Sequence, residues 1–287
     1  VNSAVYVLDW NAQLFQRLGG RTVVVSANSL EDVRRAREAA ERHHVNIHRV
    51  ILHTRAALAL LPLLADDIPN PLALFTAGMG RMQDLVRLLP ALRKMDVRIY
   101  MPADNEKSLT EVRILASLGI DCAVIFDGGT IRWDLLSDLM TYALLGLVPH
   151  AEIEPFSYIA GQYDPKKRAG FGAVYFDDPL TYLHVDAAGR VALTRSDLEA
   201  ERFFARSIEG VTEESRLAAW GAHDESWSGF FLERSRCAQC PGWRICGGAL
   251  ARRAEADPGC SSFFGELMDV IDQRQTAQKK VKSTWRP

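Results

Sequence analysis

Thr22-Val23-Val24-Val25-Ser26, followed by Leu30-Glu-Asp-Val-Arg-Arg-Ala-Arg-Glu-Ala-Ala-Glu-Arg-His43, sets the fold class. The first run is short, apolar and β-branched, which predicts a strand buried on both faces. The second is rich in Ala, Arg and Glu, and Ser29 or Asn28 stands where a helix cap belongs. Upstream, Val5–Leu8 reads as a short strand and Asn11–Leu18 as a helix closed by Gly19-Gly20. Downstream the pair repeats. Strands are expected at Ile47–His53, Leu72–Thr76, Val97–Met101, Cys122–Phe126 and Ala151–Phe156. Helices are expected at Ala56–Ala65, Met82–Met95, Ser108–Leu118 and Trp133–Leu145. Ser108 reads as a cap and Gly119 as a C-terminal stop, while Leu85, Leu88, Leu89 and Leu92 carry a helical period. A strand–helix unit about every 25 residues predicts a parallel sheet with crossover helices. Five or six units make a partial (β/α) barrel or an open doubly wound sheet, and periodicity does not separate the two.

The rhythm stops near residue 157. Residues 157–182 are rich in Gly, Pro, Asp and aromatics and lack a helical period. Tyr182–Leu193 reads as a β-hairpin turning at Gly189. Leu198–Ile208, Glu213–Trp220 and Ser262–Gln275 read as helices, and the basic tail from Ala277 to Pro287 as frayed. The chain is thus expected to divide into an α/β part (1–156), an irregular connector (157–181), a small α+β part (182–276) and a tail (277–287).

The 287 residues are 48% hydrophobic and 24% charged, enough for a large core, and the net charge of −2 offers no general attraction to nucleic acid or anionic membrane. No apolar run approaches the roughly 20 residues of a membrane-spanning helix. Val1-Asn2-Ser3-Ala4-Val5 lacks the features of a secretory signal. The expectation is a cytoplasmic protein with reduced thiols, where clustered cysteines mean metal more often than disulfides.

Four of the five cysteines form such a cluster: Cys237-Ala-Gln-Cys240-Pro-Gly-Trp-Arg-Ile-Cys246-Gly-Gly, then Cys260. The spacing is C-x2-C-x5-C-x13-C. Two intervening residues let the sulfurs of Cys237 and Cys240 face one centre. Pro241-Gly242 supplies a turn, and Gly247-Gly248 allow close backbone approach. Four thiolates suit either a [4Fe–4S] cluster or a tetrahedral Zn2+. The fifth, Cys122, opens an apolar strand and reads as a buried structural cysteine.

Residues 182–265 resemble the SPASM domain, the auxiliary-cluster domain that ends many radical SAM peptide-modifying enzymes. The family pattern has a hairpin like Val185–Val191 followed by a cysteine. It then has C-x2-C-x5-C-x3-C and a later cysteine, and it holds two [4Fe–4S] clusters. The resemblance implies that Cys237, Cys240, Cys246 and Cys260 ligate one of them. The hairpin cysteine position falls near Thr194, and the position four past Cys246 is Leu250, so the other cluster is implied to be lost. The strand–helix repeat is similar to the radical SAM core. The C-x3-C-x2-C motif of that core is absent, however, and Ala77-Gly78-Met79-Gly80 stands without the acidic residue of its Gly-Gly-Glu-Pro run. The resemblance therefore implies a degenerate, pseudo-radical-SAM α/β partial barrel that does not cleave S-adenosylmethionine. It further implies a non-catalytic partner for a radical SAM peptide maturase and its peptide, with one cluster for structure, docking or electron transfer. Two other readings remain: a zinc-stabilised interaction protein, and an enzyme with metal-independent chemistry at the barrel mouth.

Other residues are weaker candidates. His43, His44, His48 and His53 suggest a second metal site or, more simply, a helix end with its favoured cations. Gly78 and Gly80 suggest a phosphate turn. Asp66-Asp67 and Asp177-Asp178 read as solvated turn carboxylates. Phe156, Tyr158, Tyr163, Phe171, Tyr175 and Phe176, with Lys166, Lys167 and Arg168, suggest either a lid or core packing. Trp220, Trp227, Phe230, Phe231 and Trp243 are expected to shield the cysteine site.

Overall fold

The computed structural model describes residues 4–58, 71–126, 131–164, 166–167, 170–233, 235–246, 250 and 259–284. The protein is α/β, with a mostly parallel arrangement of strands. It divides into two compact units, each built from two segments: residues 1–100 with 172–229, and residues 101–171 with 230–287. This division cuts across the expected one. The hairpin belongs to the first unit and the cysteines to the second.

The first unit opens with β1 (Val5–Asp9), α1 (Ala12–Arg17), β2 (Thr22–Ala27), α2 (Leu30–His43) and β3 (Asn46–His53). It continues with β4 (Leu72–Phe75), α3 (Met82–Lys94) and β5 (Val97–Pro102), whose last two residues pass into the second unit. The helix expected at 56–65 lies largely outside the described residues. Strands β1 to β5 lie side by side in chain order, all parallel. Among β1 to β5 the order does not reverse; the turn in order falls at β1, whose other side pairs with β8 (Tyr182–Val185) when the chain returns. Right-handed crossovers then put successive helices on one face, an order compatible with a partial barrel.

The expected boundaries hold closely here because the local signals agree. Val23, Val24 and Val25 are fully buried, each contributing about 1.5 kcal/mol of apolar burial. Ser29 caps α2, its Oγ accepting the Asp32 amide at 3.1 Å. Asn11 caps α1 in the same way, receiving Gln13 N at 2.9 Å. His44 ends α2 at φ 55°, a left-handed cap that donates its amide to Ala40 O.

After residue 172 the chain returns to this unit. A 3-10 turn (Gly172–Tyr175) leads to β8 (Tyr182–Val185), which pairs parallel with β1, Val5 against Tyr182. β9 (Val191–Ala192) pairs antiparallel with β8. The hairpin is therefore part of the first unit's core: Leu183, Val185 and Val191 pack with Phe15, Leu18, Val23 and Ala36. Gly189 turns the hairpin at φ 85°, and a Cβ there would strike the Arg17 guanidinium. Arg17 lies over the turn, donating to Ala188 O at 3.3 Å and to both carboxylate oxygens of Glu209 at 2.8 Å.

The helix expected at 198–208 is not formed. Instead α7 (Arg195–Glu199) is short, and a 3-10 turn covers Ile208–Gly210. The edge of β9 captures the chain between them: Val191 donates to Ala205 O at 2.9 Å and accepts from Phe204 N at 3.0 Å. Sheet pairing there outweighs local helix propensity. α8 (Glu213–Glu233) is longer than expected and carries the chain from the first unit into the second.

The second unit holds α4 (Glu106–Ser117), β6 (Asp121–Ile125), α5 (Trp133–Leu145), β7 (Ile153–Glu154) and α6 (Phe156–Gln162). β6 and β7 pair parallel. α4 starts two residues before the expected Ser108, because Asn105 is its cap; Ser108 supplies the amide that Asn105 Oδ1 receives at 2.8 Å. Gly119 stops it at φ 83°. α6 falls where an irregular connector is expected. After α8 come α9 (Ser235–Ala238), α10 (Trp243–Cys246) and α11 (Gly259–Thr284). α11 begins earlier than expected and runs through most of the tail expected to be frayed. It lies against α5, where Ser137 Oγ donates to Glu266 at 2.7 Å. Among the described residues no helix is long and apolar enough to cross a membrane.

Candidate metal centre

The cysteine segment is a chain of tight turns. Cys240 N donates to Cys237 O at 3.1 Å, Trp243 N to Cys240 O at 3.2 Å, and Cys246 N to Gly242 O at 2.8 Å. These bonds carry Cys237 on α9 through Cys240 to Cys246 at the end of α10. Cys237, Cys240 and Cys246 are half-buried and Cys260 is buried, on the second residue of α11.

The segment rests on aromatic packing. A Cβ at Gly242 would strike the Phe264 Cβ and lie 2.8 Å from its Cγ, so only glycine lets the turn sit this close to α11. Gly259 meets the Trp133 indole in the same manner. Phe263 and Phe264 pack edge to face at 5.3 Å, Phe263 lies 5.3 Å from Trp133, and Phe171 stacks on Phe264 at 6.2 Å. Of the aromatics expected to shield the cysteines, Trp243 lies on α10, half-buried. Trp220 packs instead against the core of the first unit. The side chains of Trp227, Phe230 and Phe231 lie outside the described residues. The packing around the turn comes from Phe263, Phe264 and Trp133, which the cysteine spacing alone did not single out.

Among the described residues, no three His, Cys, Asp or Glu side chains converge closely enough to hold an ion. The donors nevertheless suit a soft centre in kind. Four thiol side chains belong to one unit, and the Leu250 amide points at Cys246 Sγ, 3.4 Å away, a contact that favours anionic sulfur. Gly247, Gly248 and residues 251–258 lie outside the described residues. Thr194 and Leu250, where the SPASM pattern has cysteines, have structural work. Thr194 caps α7, accepting Asp197 N at 3.1 Å and donating to Asp197 Oδ2 at 2.7 Å. Leu250 is buried.

The weaker candidates sit in ordinary structural places. His43 and His44 close α2, and His48 is the extra residue of an irregularity in the β2–β3 register. His53 lies against the Phe75 ring at 4.7 Å. The Gly78 turn is bonded internally: Thr76 Oγ1 donates to Ala56 O at 2.8 Å, and Leu58 N donates to Gly78 O at 2.9 Å. Asp177 and Asp178 are turn carboxylates that accept Arg195 N at 2.8 Å and Leu180 N at 3.2 Å. Asp66 and Asp67 lie outside the described residues. Of the aromatics of 156–176, Phe156 and Phe171 fill core positions in the second unit and Phe176 does so beside Tyr100 in the first, while Tyr158, Tyr163 and Tyr175 are half-buried.

Cys122 is fully buried on β6, its Sγ donating to Ile120 O at 3.3 Å, as expected of a structural cysteine.

A polar network around the hairpin escaped the sequence. His184 is buried on β8, its Nε2 2.9 Å from Asp177 Oδ1 but off the line of a hydrogen bond. His223 lies 3.8 Å from Asp197. Burial holds His223 below its ordinary value despite Asp197, Asp177 and Asp224, with Arg202 adding to the depression. Burial likewise lowers His53 and His48. The unfolded chain therefore binds more protons, so stability is full above 6.5 and falls as pH drops through 6.5 toward the folded values. Hydrogen bonds from Arg17 bring Glu209 down to about 2 from 4.5, so its contribution is present above 4.5 and lost as pH falls toward 2. That exposed pair is worth little. Thermal melts should show a lower midpoint at about pH 5 than at about pH 7.5, with a smaller difference in His223→Gln. A midpoint unchanged between those two conditions would contradict the assignment.

Comparison with family models, with curated proteins and with solved structures finds no match to this chain.

Proposed function

We propose that this chain is a non-catalytic iron–sulfur protein. In this reading it is a degenerate relative of radical SAM/SPASM enzymes, with a pseudo-radical-SAM partial barrel, and acts beside a radical SAM peptide maturase. Cys237, Cys240, Cys246 and Cys260 would hold one [4Fe–4S] cluster. The observation that carries this is the gathering of all four cysteines in one unit, on turns packed against α11, with the Leu250 amide directed at Cys246 Sγ. Thr194 as a helix cap and Leu250 as a buried residue suit a chain with a single ligand set.

Four cysteines leave a bound cluster no open iron, so its chemistry is one-electron transfer or structural bracing. The chain's own part is to bury that centre. Phe264 closes the Gly242 side, and Cys260 anchors the start of α11. S-adenosylmethionine cleavage is not expected, since the region before Cys237 has one cysteine, Cys122.

Anaerobic purification followed by iron, sulfide and zinc analysis tests the reading. A brown protein with about four irons and four sulfides per chain supports it. A colourless protein with about one zinc per chain assigns the structural-zinc alternative. Reductive cleavage of added S-adenosylmethionine would refute the non-catalytic assignment.

A further inference from the structure

The second unit contains a cleft of about 570 Å3 lined by α5, α6, α11 and the segment before β7. Four of the ten residues that line it are small: Ala143, Ala151, Ala160 and Gly161. A Cβ placed on Gly161 would meet nothing within 4 Å, so α6 presents open space there. The floor is Ile271, fully buried. Polar groups line much of the cleft, and Arg274, Ser157 and His150 have unused capacity. Arg274 lines it, half-buried, and among the described residues its guanidinium has no ion pair or hydrogen bond. Ser157 Oγ accepts the Ile153 amide at 3.2 Å and keeps its own O–H to donate. His150 Nδ1 lies 2.8 Å from Ala151 O, which requires the proton on that nitrogen and leaves Nε2 as an acceptor. Glu152 lines the same cleft.

A half-buried arginine without a partner calls for a planar anion, and a carboxylate matches its two-pronged donor geometry. The acceptor Nε2 of His150 calls for an N–H group on the same ligand. The small residues Ala143, Ala151, Ala160 and Gly161 leave room for a main chain beside them. The volume is in the range of ordinary small-ligand sites, room for roughly two to four residues. Chain residues 145–148 connect the cleft-lining Ala143 and His150, and they expose Leu147 completely and Val148 by 66%, an apolar rim for the residues that follow.

We infer that this cleft binds the C-terminal end of a peptide, its carboxylate on Arg274 and a backbone N–H group on His150. The inference stands on the second unit alone and does not depend on the metal reading.

Two probes test it on the full chain: pools of randomised N-acetylated tetrapeptides, one with free C-terminal carboxylates and one amidated. Binding is read by saturation-transfer NMR, with inorganic phosphate as a third probe. The free-acid pool is expected to bind at submillimolar concentration, and the amidated pool at least about tenfold more weakly, the value of one charge-assisted bidentate pair. Arg274→Gln removes only a charge without a partner, so its melting midpoint should match wild type while free-acid binding drops by about the same factor. Gly161→Leu fills the slot from a helical position and should abolish binding with the fold intact. Equal binding of both pools, no binding of the free-acid pool, or unchanged binding by Arg274→Gln would overturn the proposal. Phosphate binding that depends on Arg274 without peptide binding would also overturn it, assigning a simple anion site.

Discussion

Serine in place of any one of Cys237, Cys240, Cys246 or Cys260 is expected to lower bound iron from about four per chain to below about one, while Cys122→Ala leaves it unchanged. The reason lies in ligand count. A cube held by four thiolates has no spare donor, and a serine hydroxyl stays protonated near neutral pH and binds iron poorly. Cys260 is the sharpest member of the set, because it lies at the start of α11, whose Phe263 and Phe264 are buried. Circular dichroism of Cys260→Ser should therefore retain the helical signal while the iron is lost. Cys122 is the internal control, with its sulfur committed to Ile120 O in the same unit. Full iron content in all four serine variants would dismiss the cluster assignment.

Phe263→Ala is expected to destabilise the second unit by about 3–5 kcal/mol, the range for removing a large buried aromatic. Phe263 is 2% exposed and touches the rings of Phe264, Trp133 and Phe156. Each aromatic pair adds about 0.5–1.5 kcal/mol beyond area burial, so the upper half of the range applies. Hydrogen exchange localises the effect. Amides of α5, α6 and α11 should lose protection, while β1 to β3 keep theirs, since their core is built from Phe15, Leu18, Val23 and Val25. Equal loss in both places would mean that the two units unfold as one.

The strand–helix order from β1 to β5 was legible because local signals coincide there. Val23–Val25 is β-branched and bounded by turns, and Ser29 both starts a helix and caps it. The cysteine spacing was equally plain. What stayed hidden depended on distant partners. α6 carries aromatics and Gly161, and it gains its stability from burial of Phe156 and Ile159. The chain after Glu199 reads as helix in isolation, but the open edge of β9 binds it at Val191. Trp220 looked like a neighbour of the cysteines by sequence distance, yet it packs with the first unit's core. The cleft had no signature, since Ala143, Gly161 and Arg274 come from three helices whose meeting no spacing announces.

The pairing of β8 with β1 bears on how the protein is made and how it can be cut. A ribosome releases β1 first, but its outer neighbour emerges only after some 170 further residues have been translated. Until then β1 has an exposed backbone edge, a surface that invites wrong pairing. A fragment starting at Tyr182, although it would contain every residue of the cysteine motif, would begin with a hairpin stripped of the strand it was built to meet. Expression of the cysteine region alone is therefore expected to yield aggregates. Co-expressed fragments covering residues 101–171 and 230–287 would respect the molecule's actual seams.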